Sequence, residues 1–340
     1  MSAIAAIRTT SGRNIAVAAG CVVCILVVGL VIISTRAASS FVSIEAEQGT
    51  LAGGVVASSD VKASGGKFIQ FAAAASTPTP PPPPTTKVDL NDPQKRQIAM
   101  MLVSSAENST LDWKAQYSYI EYNVEGNAAE NRGYTAGLIG FTSKSGDMLS
   151  LVKYYNQIAP NNVLTKYTTA LTSAVGSSTQ TGLGTAFMND WKAAAKDAKF
   201  QQAQDHELDT GYFTPSLTQA KADGIGVLGQ FIYYDAMVMH GPGTDSLSFG
   251  GIRAAALKKA KTPAQGGNET TYLNAFLDAR KTAMLAEEGH SDTTRVDTEQ
   301  RSFLQAGNLT LSLPLSWSTY GDPYTLTQTM LDKYLSTGKF

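Results

Sequence analysis

The sequence predicts a mainly α-helical domain with a small β element, carried behind an apolar N-terminal helix, a short β-like segment and a proline-rich linker. Three observations lead there. From Asn91 onward, segment after segment repeats its apolar residues at the helical period, while strand signals are few. Ile15 to Ser34 is a 20-residue run without a charge. Ala72 to Lys87 reads AAAASTPTPPPPPTTK, and consecutive prolines, which cannot donate backbone hydrogen bonds, hold an extended spacer.

Taken in order, residues 1–14 are short and polar, with Arg8 and Arg13. Residues 15–35 contain the apolar run, long enough to span a bilayer as a helix. A cleaved signal peptide has a shorter core, about 7–15 residues, and then a small-residue site. The sequence TRAASS that follows, with Arg36 in it, makes a poor one, which favours an uncleaved anchor over cleavage. Two arginines before the run and one after place the N-terminus inside and the rest outside. Residues 41–71 carry short β-like runs separated by Gly and Ser. IEAEQGTL and ASGGKFIQF resemble the start of a carbohydrate-binding β-sandwich, but a sandwich needs about 100 residues. The linker spans 72–87 and holds the large domain, 88–340, away from the membrane.

In that domain Asn91 or Asp92 caps a first helix and Pro93 suits its first turn. Ile98, Met101, Leu102 and Ser105/Ala106 follow the helical period and bring Glu107 to the C-terminal end. There the helix dipole disfavours an anion and pushes the carboxyl towards its protonated form. Further helices are predicted over Gly146–Gln157, Val163–Val175, Thr185–Asp197, Leu217–His240, Ser248–Ala260, Glu269–Glu288 and Thr293–Gln305. RGYTAGLIGF is hairpin-like.

Of 340 residues, 43% are hydrophobic, enough for a sizeable core. Residues 1–87 carry six Lys/Arg against three Asp/Glu; the remainder carries 21 against 25. A mildly acidic domain argues against a nucleic-acid partner and is compatible with a cationic polymer, although an ordinary acidic surface explains the charge equally well. Both cysteines, Cys21 and Cys24, lie in the apolar run, so the large domain has neither a disulfide nor a cysteine metal site. His206, His240 and His290 are not at ligand spacing, and neither metal nor cofactor is expected.

The stretch Ser104 to Gly137 concentrates the candidate chemistry. Glu107 stands at one end and Glu125, Glu130, Arg132 and Thr135 at the other, with Trp113, Tyr117, Tyr119 and Tyr122 between. Two carboxylates across a polar, aromatic segment suit attack on a sugar bond: one protonates the leaving oxygen, the other acts on water or on the anomeric carbon. Two solvated surface glutamates are the alternative for the bare pair. Asp235 lies in the apolar word LGQFIYYDAMVMHGPG, and a buried carboxylate must be paired or protonated.

A run of long words, in order from about Asp92 to Tyr324, resembles the chitosanases of glycoside hydrolase family 46: SSAENS-LDWKAQY, RGYTAGLIGF, SGDML, LGQF-YYDA-VMHGPG, SFGGIR, TPAQGG-ETTYLN-FLDARK-AML, RVDTEQR-FL-AGNL and TYGDPY. The resemblance implies an α+β, mainly α, two-lobed lysozyme-like fold with substrate in the cleft between lobes. It implies endo-hydrolysis of β-1,4 bonds in chitosan by inversion, with Glu107 as general acid and Thr135 helping to hold the attacking water. The family's base, an aspartate two residues before the arginine of RGYT, is here Glu130, and the YNVEGNAAEN segment is about five residues longer than usual, so Glu125 is its rival. Glu130 leads because it keeps the spacing to Arg132 and Thr135. Arg132 is expected to shape the site by pairing with a carboxylate, and Asp147 to bind a glucosamine ammonium, to cap the helix that follows, or both. Asp235, Arg280 and Arg295 are implied as an interior salt-bridge network, for which plain stability is an equal reading. A structural role is expected for His240, and a solvated face for Glu287 and Glu288. Ser291 replaces a family acid. Asn108, Asn268 and Asn308 fit N-x-S/T without consequence in a bacterial setting. The expected partners are chitosan and its oligosaccharides, and the membrane through the N-terminal helix. The expected state is a monomer, extracellular and either anchored or secreted. The alternatives are a non-catalytic surface protein that binds chitosan, and a muramidase-like cell-wall hydrolase.

Overall fold

The structure is a computed structural model, and it describes residues 55–59, 61–63, 67–71, 88–124, 132–287 and 292–340. The chain divides into two units, Met1–Pro84 and Thr85–Phe340. In the first, β1 (Val55–Ser59) pairs antiparallel with β2 (Lys67–Phe71), Val55 opposite Phe71. The predicted span at 15–35 and the linker at 72–87 lie outside the described residues, as do Glu125, Glu130, Glu288, His290 and Ser291. Among the described residues no helix is long and apolar enough to cross a membrane.

The second unit is mainly helical, with two small sheets. It opens with α1 (Pro93–Asn108), capped by the Asp92 side chain, which accepts from the backbone N–H groups of Gln94 and Lys95. The helix stops at Ser109, whose φ of 51° puts it in the left-handed region. A 3₁₀ turn, Trp113–Ser118, leads into an antiparallel sheet of β3 (Ile120–Tyr122), β4 (Tyr134–Ala136) and β5 (Phe141–Thr142), with β4 central. Then come α2 (Asp147–Ile158), α3 (Thr168–Ala174), α4 (Gly184–Ala194) and α5 (Ala198–Leu208). A π-helical turn, Asp209–Phe213, joins α5 to α6 (Thr214–Ala222). After it follow α7 (Val227–His240), α8 (Phe249–Leu257) and α9 (Glu269–Ala286). A second π-helical turn, Arg295–Gln300, runs into α10 (Arg301–Gln305); the hairpin β6 (Leu315–Thr319) and β7 (Asp322–Leu326) and α11 (Gln328–Thr337) complete the chain.

Helix α7 is apolar on every side, and Val227 to Met237 are all buried. It packs on α6 and α1, and α8 packs on α9. Tyr233, Phe249 and Phe276 fill the space there, with ring centroids 4.8 and 5.0 Å from Tyr233. Around the first sheet, α2 packs on α5, and an aromatic column runs from Tyr134 through Phe187 and Trp191 to Phe200. Gln204 on α5 ties the sheet to this helix: its Oε1 accepts from Leu138 N at 3.2 Å and its Nε2 donates to Tyr117 O at 2.9 Å. Gly137 must be glycine at this approach, with φ of 76° and space for a Cβ only 2.5 Å from Gln204 Oε1. Gln204→Leu is expected to lower unfolding free energy by about 2 kcal/mol, since it strands a buried N–H and a buried carbonyl; urea denaturation of the variant measures it.

Several expected elements differ. Leu217–His240 is two helices, because Gly224 takes φ of 74° and Ile225 N bonds back to Ala220 O at 3.1 Å, a Schellman-type stop. Asp197, expected as the last residue of one helix, instead caps the next, accepting from Lys199 N. That helix, α5, and the π turn after it were not expected, because AKFQQAQDHEL has too few apolar residues to mark a face. Val163–Val175 is a 3₁₀ turn at Thr165–Tyr167 followed by α3, and Thr293–Gln305 contains the second π turn.

Candidate active site

Glu107 lies in the last turn of α1, one residue before its end. About 30 % of its side chain is exposed, so it faces outward while its carboxylate is held from behind by the Arg295 guanidinium. Arg295 Nη1 donates to Glu107 Oε1. The same guanidinium grips Asp235, with Nη2 at 2.6 Å from Oδ1 and Nε at 3.0 Å from both oxygens. Asp235 on α7 has no exposed surface. On its other side Arg280 Nη1 donates to Oδ2 at 2.5 Å, and Gln300 Nε2 donates to the same oxygen at 2.5 Å. Gln300 Oε1 in turn accepts from Arg280 at 3.0 Å. Burial alone would raise the Asp235 carboxyl; the two guanidiniums outweigh it and hold it well below the usual range. The expected trio therefore forms one continuous chain that ends on Glu107.

The chain continues past Arg280. Its Nε lies 3.4 Å from His240 Nε2, and His240 Nδ1 lies 3.1 Å from Glu287 Oε1. Burial lowers His240 from its ordinary value, with Glu287 acting against that. Glu287, expected on a solvated face, thus pairs with His240 while its side chain stays partly exposed. Strand β6 anchors the same helix end: Trp317 Nε1 donates to Ser105 Oγ at 3.0 Å, and Thr319 Oγ1 donates to Ser105 O at 3.3 Å. The turn Arg295–Gln300 packs against β6, where Thr298 Oγ1 donates to Ser318 O at 2.6 Å.

The first sheet carries the other candidates. Thr135 sits on β4 between Glu121 on β3 and Thr142 on β5. Its Oγ1 is shielded from solvent and has no hydrogen-bond partner among the described residues. Arg132, just before that strand, is exposed. Asp147 is the first residue of α2, while Gly146 occupies the cap position. Its Oδ1 still accepts from Met148 N at 2.7 Å, Thr142 N at 2.7 Å and Ser145 Oγ at 2.6 Å. Burial pushes this carboxyl above its ordinary value, against the pull of those three hydrogen bonds.

Two neighbours of Asp147 escaped the sequence reading. Burial and the charge of Asp147 both raise the Glu207 carboxyl, and His206 opposes them. Burial and the nearby carboxylates Asp147 and Glu207 push the Tyr212 phenol up to about 12. Glu207 belongs to α5 and Tyr212 to the π turn, the segments that no sequence pattern marked. Gln300 and Glu299 were in view, in the word RVDTEQR, but nothing in their spacing showed that both turn inward. Among the described residues no cluster of His, Cys, Asp or Glu is arranged to hold a metal ion.

The model of glycosyl hydrolase family 46 matches residues 101–315. The chain is 64% identical over 237 residues to a chitosanase of Streptomyces sp. strain N174, a match that covers 70% of this chain and 84% of that one. A solved chitosanase complex superposes with a TM-score of 0.68 at 52% identity, over 71% of this chain and all of the other. A family 46 chitosanase of Gynuella sunshinyii, solved with chitotetraose, superposes with a TM-score of 0.63 at 31% identity, over 69% of this chain and 98% of its own. With a mainly helical unit whose sequence and backbone both follow these enzymes, the chain belongs to glycoside hydrolase family 46.

Proposed function

We propose that this protein is an endo-chitosanase, acting outside the cell as a monomer and either tethered by residues 15–35 or released. It cleaves β-1,4 bonds in chitosan by inversion. The observation that carries the reading is the partly exposed Glu107 carboxyl at a helix end, fixed by Arg295 on the buried Asp235. An acid held so firmly delivers its proton to one oxygen position, the glycosidic one, and misplacement by ~1 Å can cost ~100-fold. Glu130 is the base that activates water, Glu125 being its rival, and the shielded Thr135 hydroxyl, able to donate and accept, orients that water. The two carboxyls of an inverting pair stand about 6.5–9.5 Å apart to admit it. The substrate lies in a cleft between two lobes, one built around the first sheet and one around α7.

Asp147 takes the ammonium of a glucosamine unit, with Tyr212 holding the carboxylate in register. Ammonium–carboxylate contact restores the charge that burial disfavours, so binding and ionisation support each other. Asp147→Asn is expected to raise KM and lower kcat/KM for chitosan by about 10–100-fold, the loss of a charged hydrogen bond worth about 1.5–3 kcal/mol. Because the Asp147 carboxyl sits above its ordinary value, wild-type KM is expected to rise as acidification neutralises it, and the Asn variant to lose that pH dependence. Initial rates over a range of chitosan concentrations and pH values measure both. The reading itself is tested by reducing-end release from chitosan: a protein that binds the polymer and releases none is not an endo-chitosanase.

A further inference from the structure

The hairpin of β6 and β7 has a tip that turn geometry alone does not explain. Thr319 pairs with Asp322, which leaves Tyr320 and Gly321 as a two-residue loop. Both have positive φ, 53° and 87°, the mark of a type I′ turn. Glycine meets that demand at the second position. At the first, the turn favours asparagine, aspartate or glycine, and a bulky aromatic there is strained. Strain of this kind persists only where the surroundings fix it, and it collects at functional sites.

The surroundings do fix it, and they are those of Glu107. Thr319 is buried, and its hydroxyl donates at 3.3 Å to the carbonyl of Ser105, two residues before Glu107. Tyr320 N donates to Thr294 Oγ1 at 2.8 Å, and Thr294 directly precedes Arg295, which holds the Glu107 carboxylate. The Thr294 hydroxyl donates in turn to Asp292. The tip is therefore tied on one side to the helix end that carries the acid and on the other to the turn that carries its arginine. From this fixed base the Tyr320 side chain remains 50 % exposed. Among the described residues the other exposed aromatic is Phe340, at the end of the chain. The same site acts on the phenol: partial burial raises it, Arg295 opposes that, and Glu107 and Asp292 add to the rise.

We propose that Tyr320 is a substrate-binding residue: its ring is a platform on which a glucosamine unit of chitosan stacks, beside the bond that Glu107 protonates. A β-1,4-linked glucosamine holds its polar groups equatorially, so each face of the sugar is a set of axial C–H bonds that an aromatic ring covers. The negative face of the ring also attracts a cation, and a protonated glucosamine unit carries one. A platform next to the scissile bond must stand still to keep that bond within reach of the acid. A tip tied both to Ser105 and to Thr294 does so. The proposal rests on the chitosanase reading and on Glu107 as its acid.

The test uses the full chain with Tyr320→Asn and Tyr320→Phe. Asparagine suits the first position of a type I′ turn, so Tyr320→Asn is expected to unfold at a Tm no lower than that of wild type. The same variant is expected to raise KM for chitosan by about 3–30-fold, with the loss falling on KM more than on kcat. Tyr320→Phe keeps the ring and is expected to recover most of that affinity. A tyrosine that only shapes the turn gives a folded Asn variant with unchanged KM, and that result overturns the proposal. A Phe variant as weak as the Asn one also overturns it, because the effect then belongs to the hydroxyl. Tyr320→Gly, equally at home in the turn, repeats the measurement should the Asn variant not fold. Binding is read without turnover in Glu107→Gln: calorimetric titration with a glucosamine hexamer is expected to show a weakening of about 3–30-fold when Tyr320→Asn is added. If the hexamer binds and Tyr320→Asn leaves its affinity in place, only the platform fails. If the hexamer does not bind and wild type releases no reducing ends, the chitosanase reading fails and the platform with it.

Discussion

Glu107→Gln is expected to cut reducing-end release from chitosan by about 10²–10⁴-fold, the range that a positioned proton donor contributes. Glutamine keeps the shape of the side chain and can still meet Arg295, so the folded structure survives and the loss falls on kcat. Glu130→Gln is expected to cause a loss of the same order, by removing the base. Glu125→Gln, five positions earlier, is expected to change little. The three variants together decide the departure from the family pattern that bears on the base, Glu130 standing where the resemblance implies an Asp, in a lengthened segment. Glutamate reaches about one carbon–carbon bond further than aspartate, and misplacement by ~1 Å can cost ~100-fold. A large loss at Glu125 with little at Glu130 would reassign the base and redraw the insertion. An inactive wild type that still binds chitosan would leave a surface-binding protein, and cleavage of cell-wall polymer in preference to chitosan would make it a muramidase.

Asp235→Asn is expected to cost about 3–5 kcal/mol of unfolding free energy, because it leaves two buried guanidiniums facing a neutral amide. For a unit of this size that lowers Tm by about 10 °C. The pH dependence carries the sign. Arg295 and Arg280 depress the folded carboxyl of Asp235 below its unfolded value, near 3.8. Its contribution is therefore complete above the unfolded value and is lost as pH falls through the folded one. The stability gap between wild type and Asp235→Asn is expected to be constant from neutral pH down to about 5 and to close progressively below about 4. Calorimetric scans across that range measure it. A gap that stays open at pH 2 would mean that the aspartate stabilises by packing, not by charge.

Activity is expected to fall in Asp235→Asn as well, since the same guanidinium holds Glu107. This joins stability to catalysis through one side chain: Arg295 reaches Asp235 with two of its nitrogens and Glu107 with the third. The π-helical turn makes the reach possible. It places Arg295, Glu299 and Gln300 together on the inward side, where a regular helix, with 3.6 residues per turn, would spread residues 295, 299 and 300 differently.

Local signals in the sequence were enough for the first helix. Asp92 and Pro93 start α1, its apolar period runs to Ala106, and Glu107 falls at its end as the spacing required. The apolar word around Asp235 was enough to demand a partner for it, because a charge inside a run without polar faces has no other refuge. Motif words carried the family, which composition alone would not have reached. Sequence periodicity failed where helices are short or polar. Thr214–Ala222 and Val227–His240 read as one helix until Gly224 takes its positive φ, and α5 goes unmarked because its buried face, Phe200, Ala203, Gln204 and Leu208, carries only two large apolar residues.

What the sequence determined by itself was therefore local and additive: where helices begin, which residues avoid water, and which carboxyls need a partner. What only the tertiary structure decided was which partner. Glu107 and Arg295 are 188 positions apart and Asp235 and Gln300 are 65 apart. No period or cap links such positions. They meet because burial of α7 forces its carboxylate to find cations, and guanidiniums reach it from α9 and from the π turn that packs on β6. Tyr212 and Asp147 meet for the same kind of reason, once α2 packs on α5.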